Sequence, residues 1–294
     1  HAGGQLGAAP VGVRAMSIAS FIDAPGPRAR RRQRILTVVV VAALALVLVG
    51  GYRRLDARGQ FDARRWEVFE QWSVWRFYLY GLGNTLKAAA VSAVGALVLG
   101  LGFALGRTAP NRAVRAVAVL YVETFRAAPL ILLMFFARFA LPKVGITFVD
   151  SFWAVVIGLV AYNSAVLAEI FRAGIEALPR GQFEAARSIG LRHGQMMAHV
   201  IVPQAVRAMV PALVAQLVVL LKDTSFGALL NYEELLRKGQ ITGEFAKNPL
   251  QALFVAAALY APVIFVLNRL ARRLERRPAA RPVNLPAEGG AVLA

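Results

Sequence analysis

The chain has 294 residues, of which 58% are hydrophobic and only 17% charged, and its mean hydropathy is +0.56. An ordinary soluble domain cannot hide this share of apolar residues in its core, so the composition predicts an integral membrane protein in contact with lipid. The formal net charge is +18, but the arginines cluster beside long apolar stretches rather than among exposed stacking aromatics, which argues against nucleic-acid binding. Cysteine is absent and the three histidines lack zinc-ligand spacing, so we predict no metal site.

Residues 17–34 are polar and rich in proline and arginine, and we predict that residues 1–34 form a cytoplasmic extension. The chain begins with His1, so Met16 is a candidate native start and residues 1–15 a candidate upstream extension. Residues 35–51 contain no charge and are long enough to cross a bilayer, which predicts a first transmembrane helix. Residues 52–77 mix charges with tryptophans and are predicted to form an extracytoplasmic loop.

Five more apolar segments follow, at about residues 78–106, 114–141, 152–173, 208–230 and 250–270. Together with the first helix they predict an all-α membrane protein with six crossings and both termini on one side. Because the two termini are rich in arginine, this side is predicted to be the cytoplasm. Pro129, inside the third segment, is expected to interrupt its helix.

A polar segment, 180–205, separates the fourth and fifth apolar segments. Its polarity forbids burial in lipid. Pro179 can open a short helix and Gly190 is placed to end it in a left-handed cap. Taken alone, the residues leave two interpretations open, an interfacial amphipathic helix and an ordinary surface loop.

GQFEAARSIGL followed by IVPQA resembles the EAA loop of ABC importer permeases. The matching residues are Gly181, Gln182, Glu184, Ala185, Ala186, Gly190, Ile201 and Pro203. Further blocks resemble the polar amino acid subfamily in order: GNTL at 83–86, YVETFRAAPLIL at 121–132, NSAVLAEIFRAGI at 163–175 and LLKDTSF at 220–226. The layout, with DAPGP and an arginine cluster before the first helix, is similar to the glutamate-type permeases of actinobacteria. The chain departs from the subfamily pattern at Val166, where tyrosine is common, and at Ala127 and Ala128, where glycine and threonine are common.

The resemblance implies a type I ABC importer permease domain of five helices at residues 78–272, with an extra N-terminal helix before it and a cytoplasmic tail at 273–294. Its implied function is the transmembrane permease subunit of an importer for polar amino acids, with glutamate or a related amino acid as the best candidate. The EAA loop, 180–205, would be the coupling segment that docks in a cleft of the ATPase.

The implied partners are two ABC ATPase subunits, a second permease chain, an extracytoplasmic amino-acid-binding protein and the lipid of the plasma membrane. A heterodimer of permeases is favoured over a homodimer. The sequence contains no G-x-x-x-x-G-K-[ST] phosphate loop, so the chain is expected to bind no cofactor directly and to be no enzyme. ATP and Mg would enter through the partner ATPase.

Polar residues within the apolar segments form a candidate substrate pathway. A rise of about 1.5 Å per residue places several of them near the centre of the bilayer, where charges are costly unless they face a partner or water. The candidates are Glu123, Arg126, Asn163, Ser164, Glu169, Lys222, Asp223, Thr224 and Ser225.

Glu123 and Arg126 leave two interpretations open. Their i to i+3 spacing could form a self-neutralising pair. Alternatively, Arg126 could hold a substrate carboxylate in a two-pronged hydrogen bond while Glu123 faces an ammonium group. Glu169 and Arg172 are closer to the cytoplasmic end, where they are expected to form an inner gate or an interface pair.

Two other functional classes are weighed against the permease. An ion-coupled amino acid carrier usually has internal repeats, and no repeat relates the two halves of this sequence. A non-transporting membrane scaffold has no reason to bear the cost of charges at mid-membrane depth.

Overall fold

The computed structural model describes residues 27–275. The candidate start at Met16, residues 1–26 of the predicted extension and residues 276–294 of the predicted tail lie outside the described part of the chain. Within 27–275 the structure is helical with no strand, which confirms the all-α prediction. The α-helices are Pro27–Asp56 (α1), Trp72–Thr108 (α2), Arg112–Ala127 (α3), Leu130–Phe139 (α4), Ser151–Glu176 (α5), Arg180–Ser188 (α6), His193–Met196 (α7), Val202–Asp223 (α8), Leu235–Phe245 (α9) and Pro249–Glu275 (α10).

The chain divides into two units, residues 1–61 and 62–294. The described part of the first unit is α1 and the turn that follows it. At 30 residues, α1 is longer than the predicted 35–51 helix and extends for about 45 Å. Its most apolar stretch is wholly exposed, as expected of a helix whose surroundings are lipid.

In the second unit, α5 is the central helix, packed against by α2, α3, α4 and α8. Its most apolar stretch is 61% buried, compared with 33% in α2. Small residues make this close packing possible. Gly158 lies against the backbone of Met134 on α4, and Gly100 of α2 lies against Leu167 of α5.

The predicted third crossing, 114–141, is bent rather than straight. It consists of α3 and α4, which meet at 102°. Pro129 has no N–H to donate and holds Ala128 in an extended conformation, with ψ of 132°, so the helix ends there. The described chain has five helices that are long and apolar enough to cross a membrane singly, and the bent pair makes six when it is counted as one span.

Residues 231–249, between the last two predicted crossings, contain a partly buried helix, α9, that the sequence analysis did not predict. α9 joins the first turns of α2 and α10 in a second small core formed by Phe69, Tyr78, Leu235, Ala252, Val255 and Ala256. The Glu234 side chain is fully buried, caps α9 by accepting from the N–H groups of Leu236 and Arg237, and also accepts from the Tyr260 hydroxyl. Burial raises the pKa of the Glu234 carboxyl, and these hydrogen bonds partly oppose the rise.

Substituting Gly158 by alanine is expected to loosen the contact between α4 and α5. The new Cβ would be 3.0 Å from the Met134 Cα and backbone nitrogen, so a helix has to move, at about 1–3 kcal/mol of stability. The matched control is Gly102→Ala in α2, whose Cβ would meet no atom within 4 Å. Thermal unfolding of the detergent-solubilised protein measures both variants, and equal midpoints would contradict this account of the packing.

Candidate functional site

The 180–205 segment forms a short helix that ends in the predicted left-handed cap. Gly190 has φ of +80°, a conformation that strains any residue with a Cβ. The N–H of Gly190 donates to the carbonyl of Arg187 at 2.9 Å, and the N–H of Leu191 donates to that of Ala186 at 3.2 Å. This is the Schellman arrangement, so the cap position predicted from the sequence is confirmed.

The two faces of α6 have different surroundings. Ala186 is buried against the main core, whereas Glu184 and Ala185 are exposed. Ile189, just after the helix, is 76% exposed. The exposed part of this segment therefore presents a carboxylate and an uncovered apolar side chain, and the small Ala185 permits close approach by another chain.

Two connections hold α6 to α8. The Gln204 side chain donates to the Gln182 side chain at 3.0 Å. Between α7 and α8 the chain forms a π-helical turn, Met197–Ile201, in which Ile201 is fully buried. Pro203 has no N–H, so the regular hydrogen bond to the carbonyl four residues earlier cannot form at this position.

A cavity of about 470 Å³ lies where the α3–α4 bend faces α5 and α8. It is lined by Arg126, Ala127, Ala128, Pro129, Leu130, Tyr162, Val166, Gln216, Val219, Asp223 and Phe226. Two of the predicted pathway residues, Arg126 and Asp223, thus line one space with opposite charges. The three positions that depart from the subfamily pattern line the same space.

The other predicted pathway residues contact the helix bundle instead. Asn163 is fully buried and accepts from the Gln216 side chain at 2.8 Å, so it meets the cavity only through Gln216. Ser164 is fully buried too and shares a 2.9 Å hydrogen bond with the Tyr121 hydroxyl.

Of the four predicted residues at 222–225, which include the last two residues of α8 and the two that follow it, only Asp223 lines the cavity. Buried Thr224 donates its hydroxyl to the carbonyl of Leu221 at 2.7 Å. Lys222 is exposed and Ser225 half-buried, and neither lines the cavity. Successive residues on a helix point about 100° apart, which separates Lys222 from Asp223. Tyr162 and Gln216, which the sequence reasoning missed, carried no charge or motif that could have singled them out.

Glu169 is shared by arginines from three helices. Its carboxylate accepts from Arg107 of α2 at 2.6 Å and also pairs with Arg172 of α5, while Arg126 of α3 is 3.5 Å away. Glu123 is 60% exposed and lies 3.8 Å from Arg107. The structure therefore pairs Arg126 with Glu169 rather than with Glu123, and it adds Arg107, which sequence reasoning did not include.

The family model for the binding-protein-dependent transport system inner membrane component matches residues 96–279, more than half of the chain. The chain belongs to this family. The permease is 42% identical over 226 residues to the glutamate transport system permease protein GluD of Corynebacterium glutamicum, covering 76% of this chain and 83% of that protein. It is 33% identical to the arginine transport system permease protein ArtQ of Bacillus subtilis, covering 68% of this chain and 92% of that protein.

A solved structure extends the likeness to the fold. The crystal structure of an amino acid ABC transporter with histidines has 31% sequence identity and a TM-score of 0.64 to the permease, over 69% of this chain and 94% of that one. The family and fold predicted from the EAA loop and the four sequence blocks are confirmed. The chain is a multi-pass membrane permease of the ABC importer type.

Replacing Glu169 by glutamine is expected to destabilise the contact among α2, α3 and α5. The change leaves Arg107, whose side chain is only 15% exposed, with no carboxylate except that of the exposed Glu123 at 3.8 Å, at a cost of roughly 1–3 kcal/mol. Glu176→Gln is the control, since Glu176 is 60% exposed and pairs only with Arg172 among the described residues. The thermal midpoint in detergent should fall clearly for Glu169→Gln and little for Glu176→Gln, and the reverse order would refute the central role of Glu169.

Proposed function

We propose that the permease forms one half of the membrane pathway of an ATP-driven importer for polar amino acids, with glutamate or a related amino acid as substrate. The observation that carries this proposal is the cavity in which Arg126 and Asp223 present opposite charges to one space. A free amino acid bears an ammonium and a carboxylate, which these two groups complement. The names of the glutamate and arginine permeases among the relatives support the same substrate class.

Arg126 is well placed to receive a carboxylate. Its contact with Glu169 is long, at 3.5 Å, and Glu169 already binds Arg107 and Arg172. A substrate carboxylate can therefore bind the Arg126 guanidinium while Glu169 remains paired with Arg107 and Arg172. In this proposal Asp223, rather than the exposed Glu123 of the sequence-based hypothesis, faces the ammonium group.

Val166, Ala127 and Ala128 would set the width of the cavity. Each lines it with a small or medium side chain. The subfamily more often has a tyrosine at the position of Val166, so this chain leaves additional room beside Arg126. We expect substitutions at these three positions to change which amino acid the permease prefers to transport.

The 180–205 segment is proposed as the site that receives force from the ATPase. Two ATPase subunits would close on ATP and Mg and press on the exposed face of Glu184, Ala185 and Ile189. The hydrolysis belongs to those subunits, so the permease itself is no enzyme and binds no cofactor directly. The buried Ala186 and the Gln182–Gln204 hydrogen bond support the transmission of this movement from α6 to α8. Asp223 is at the far end of α8, about 30 Å along the helix.

The same proposal orients the chain in the plasma membrane. The 180–205 segment and both termini would be cytoplasmic, while residues 231–248 and the start of α5 would face outward. A second permease chain, favoured to be a related one rather than a copy, would complete the pathway. An extracytoplasmic binding protein would deliver the amino acid to the outward face.

Glu184→Lys is expected to uncouple the permease from its ATPase, because it reverses the charge on the exposed face of α6. Co-purification of the ATPase and substrate-stimulated ATP hydrolysis should both fall, to less than about a tenth if one charge-assisted contact is lost and repulsion is added. Glu67→Lys, an exposed acidic residue outside this segment, is the control. Unchanged coupling in Glu184→Lys would remove the coupling role and favour a carrier or a scaffold.

Arg126→Gln is expected to weaken substrate handling without impairing assembly. Loss of one charge-assisted hydrogen bond lowers affinity by roughly tenfold or more. Uptake of labelled L-glutamate and L-glutamine by proteoliposomes holding the whole transporter measures the effect. Arg115→Gln on the same helix, where Arg115 is exposed, is the control. Wild-type uptake of both amino acids by the Arg126 variant would overturn the assignment of this cavity.

A further inference from the structure

A second polar cavity, of about 360 Å³, lies at the end of α5 that is opposite to the 180–205 segment. It is lined by Tyr80, Asn84, Lys87, Asp150, Ser151, Phe152, Asn231, Tyr232 and Glu233. It shares no lining residue with the Arg126–Asp223 cavity. It is therefore a separate site in the described part of the chain, with its own charged groups.

Hydrogen bonds between three parts of the chain hold the walls of this cavity. The Tyr232 hydroxyl donates to the Asn84 carbonyl at 2.8 Å, and the Asn84 side chain donates to the Glu233 carbonyl at 2.9 Å. The Ser151 hydroxyl donates to the Leu230 carbonyl at 2.7 Å. Asn231, with φ of 56°, turns the chain back toward α2. These bonds preorganise the cavity before any ligand arrives.

A cation and an anion line this cavity without touching each other. Within residues 27–275, neither Lys87 nor Asp150 forms an ion pair, while the third charged residue, Glu233, is bound to Lys238 at 2.8 Å. The Lys87 ammonium lies 4.8 Å from the centre of the Phe152 ring. One Asp150 carboxylate oxygen accepts from the backbone N–H of Trp153 at 2.9 Å, which leaves the other oxygen for a ligand.

We infer that this cavity binds a zwitterion that carries a primary ammonium and an anionic oxygen group. The ammonium would bind Asp150, and the anionic oxygens would bind Lys87, so that the ligand bridges two charges that the protein itself leaves apart. A free α-amino acid and the headgroup of phosphatidylethanolamine share this chemistry. The amino acid is the favoured source, and that choice rests on the proposed function: the cavity would lie on the face where a binding protein releases its cargo, before the Arg126–Asp223 cavity.

Lys87→Gln and Asp150→Asn test the site. Both remove a charge while keeping a polar side chain, and asparagine retains the helix-capping oxygen that α5 needs. Lys143→Gln is the matched control, because Lys143 is an exposed lysine that lines neither cavity. The assay is equilibrium binding of labelled L-glutamate and L-glutamine to the full transporter complex carrying Arg126→Gln, without ATP or binding protein, in phosphatidylglycerol nanodiscs.

The expected result is residual amino acid binding that Lys87→Gln and Asp150→Asn each weaken roughly tenfold or more, and that Lys143→Gln leaves unchanged. In nanodiscs that include phosphatidylethanolamine, native mass spectrometry measures whether this lipid stays bound to the protein. Retention of this lipid that depends on Lys87 and Asp150, with no amino acid binding, would establish the zwitterion site but overturn the amino acid as its ligand.

If neither the amino acid nor the lipid binds in a way that depends on Lys87 and Asp150, the inference is overturned. The assay contains no ATP, so a failure of the coupling role of Glu184 leaves its result intact. Conversely, co-purification of the ATPase, which tests Glu184→Lys, requires no substrate and would not change with loss of this site. The two proposals therefore fail separately.

Discussion

The carboxylate of Glu169 is the group around which three membrane helices are arranged. Arginines from α2, α3 and α5 reach it, and the most buried of them, Arg107, has a side chain that is only 15% exposed. A charge inside a membrane protein is costly unless it is paired, so the arrangement is stable only in the register that brings all these groups together. That register places Arg126, the most loosely held of the three, on the wall of the cavity.

The cavity itself depends on a break in a helix. Had 114–141 formed one straight helix, the residues after Ala127 would have continued along the axis of α3. Pro129 turns the chain by 102°, and the extended backbone at Ala128 opens a space that α5 and α8 close from the other sides. Close contact between α4 and α5 at Gly158 then holds the bend in place.

The two ends of the bundle have different constructions. At the 180–205 end, a short capped helix presents exposed groups and is tied to α8 by one hydrogen bond and a buried turn. At the opposite end, α9 and the start of α2 form a second core around the buried Glu234. Glu233, the residue before Glu234, lines the Lys87–Asp150 cavity, so this second core adjoins that cavity.

The sequence by itself determined the features that depend on local chemistry. Long runs without charge predict membrane helices because lipid leaves no alternative for the backbone. Gly190 predicts the end of α6 because a left-handed cap disfavours a Cβ, and the EAA pattern with its four companion blocks identifies the family. Pro129 indicates an interruption, although its angle does not follow from the residue alone.

Tertiary structure alone decided which side chains meet. The rise per residue gives the depth of Asn163 and Arg126 in the membrane, but not the direction in which each points, because that depends on how neighbouring helices rotate and bend. Thus Asn163 bonds to Gln216 inside the bundle, whereas Arg126 faces the cavity. The sequence analysis made no prediction for the stretch that contains Glu234 and Lys238, and it is the packing of α9 against α2 and α10 that buries both side chains.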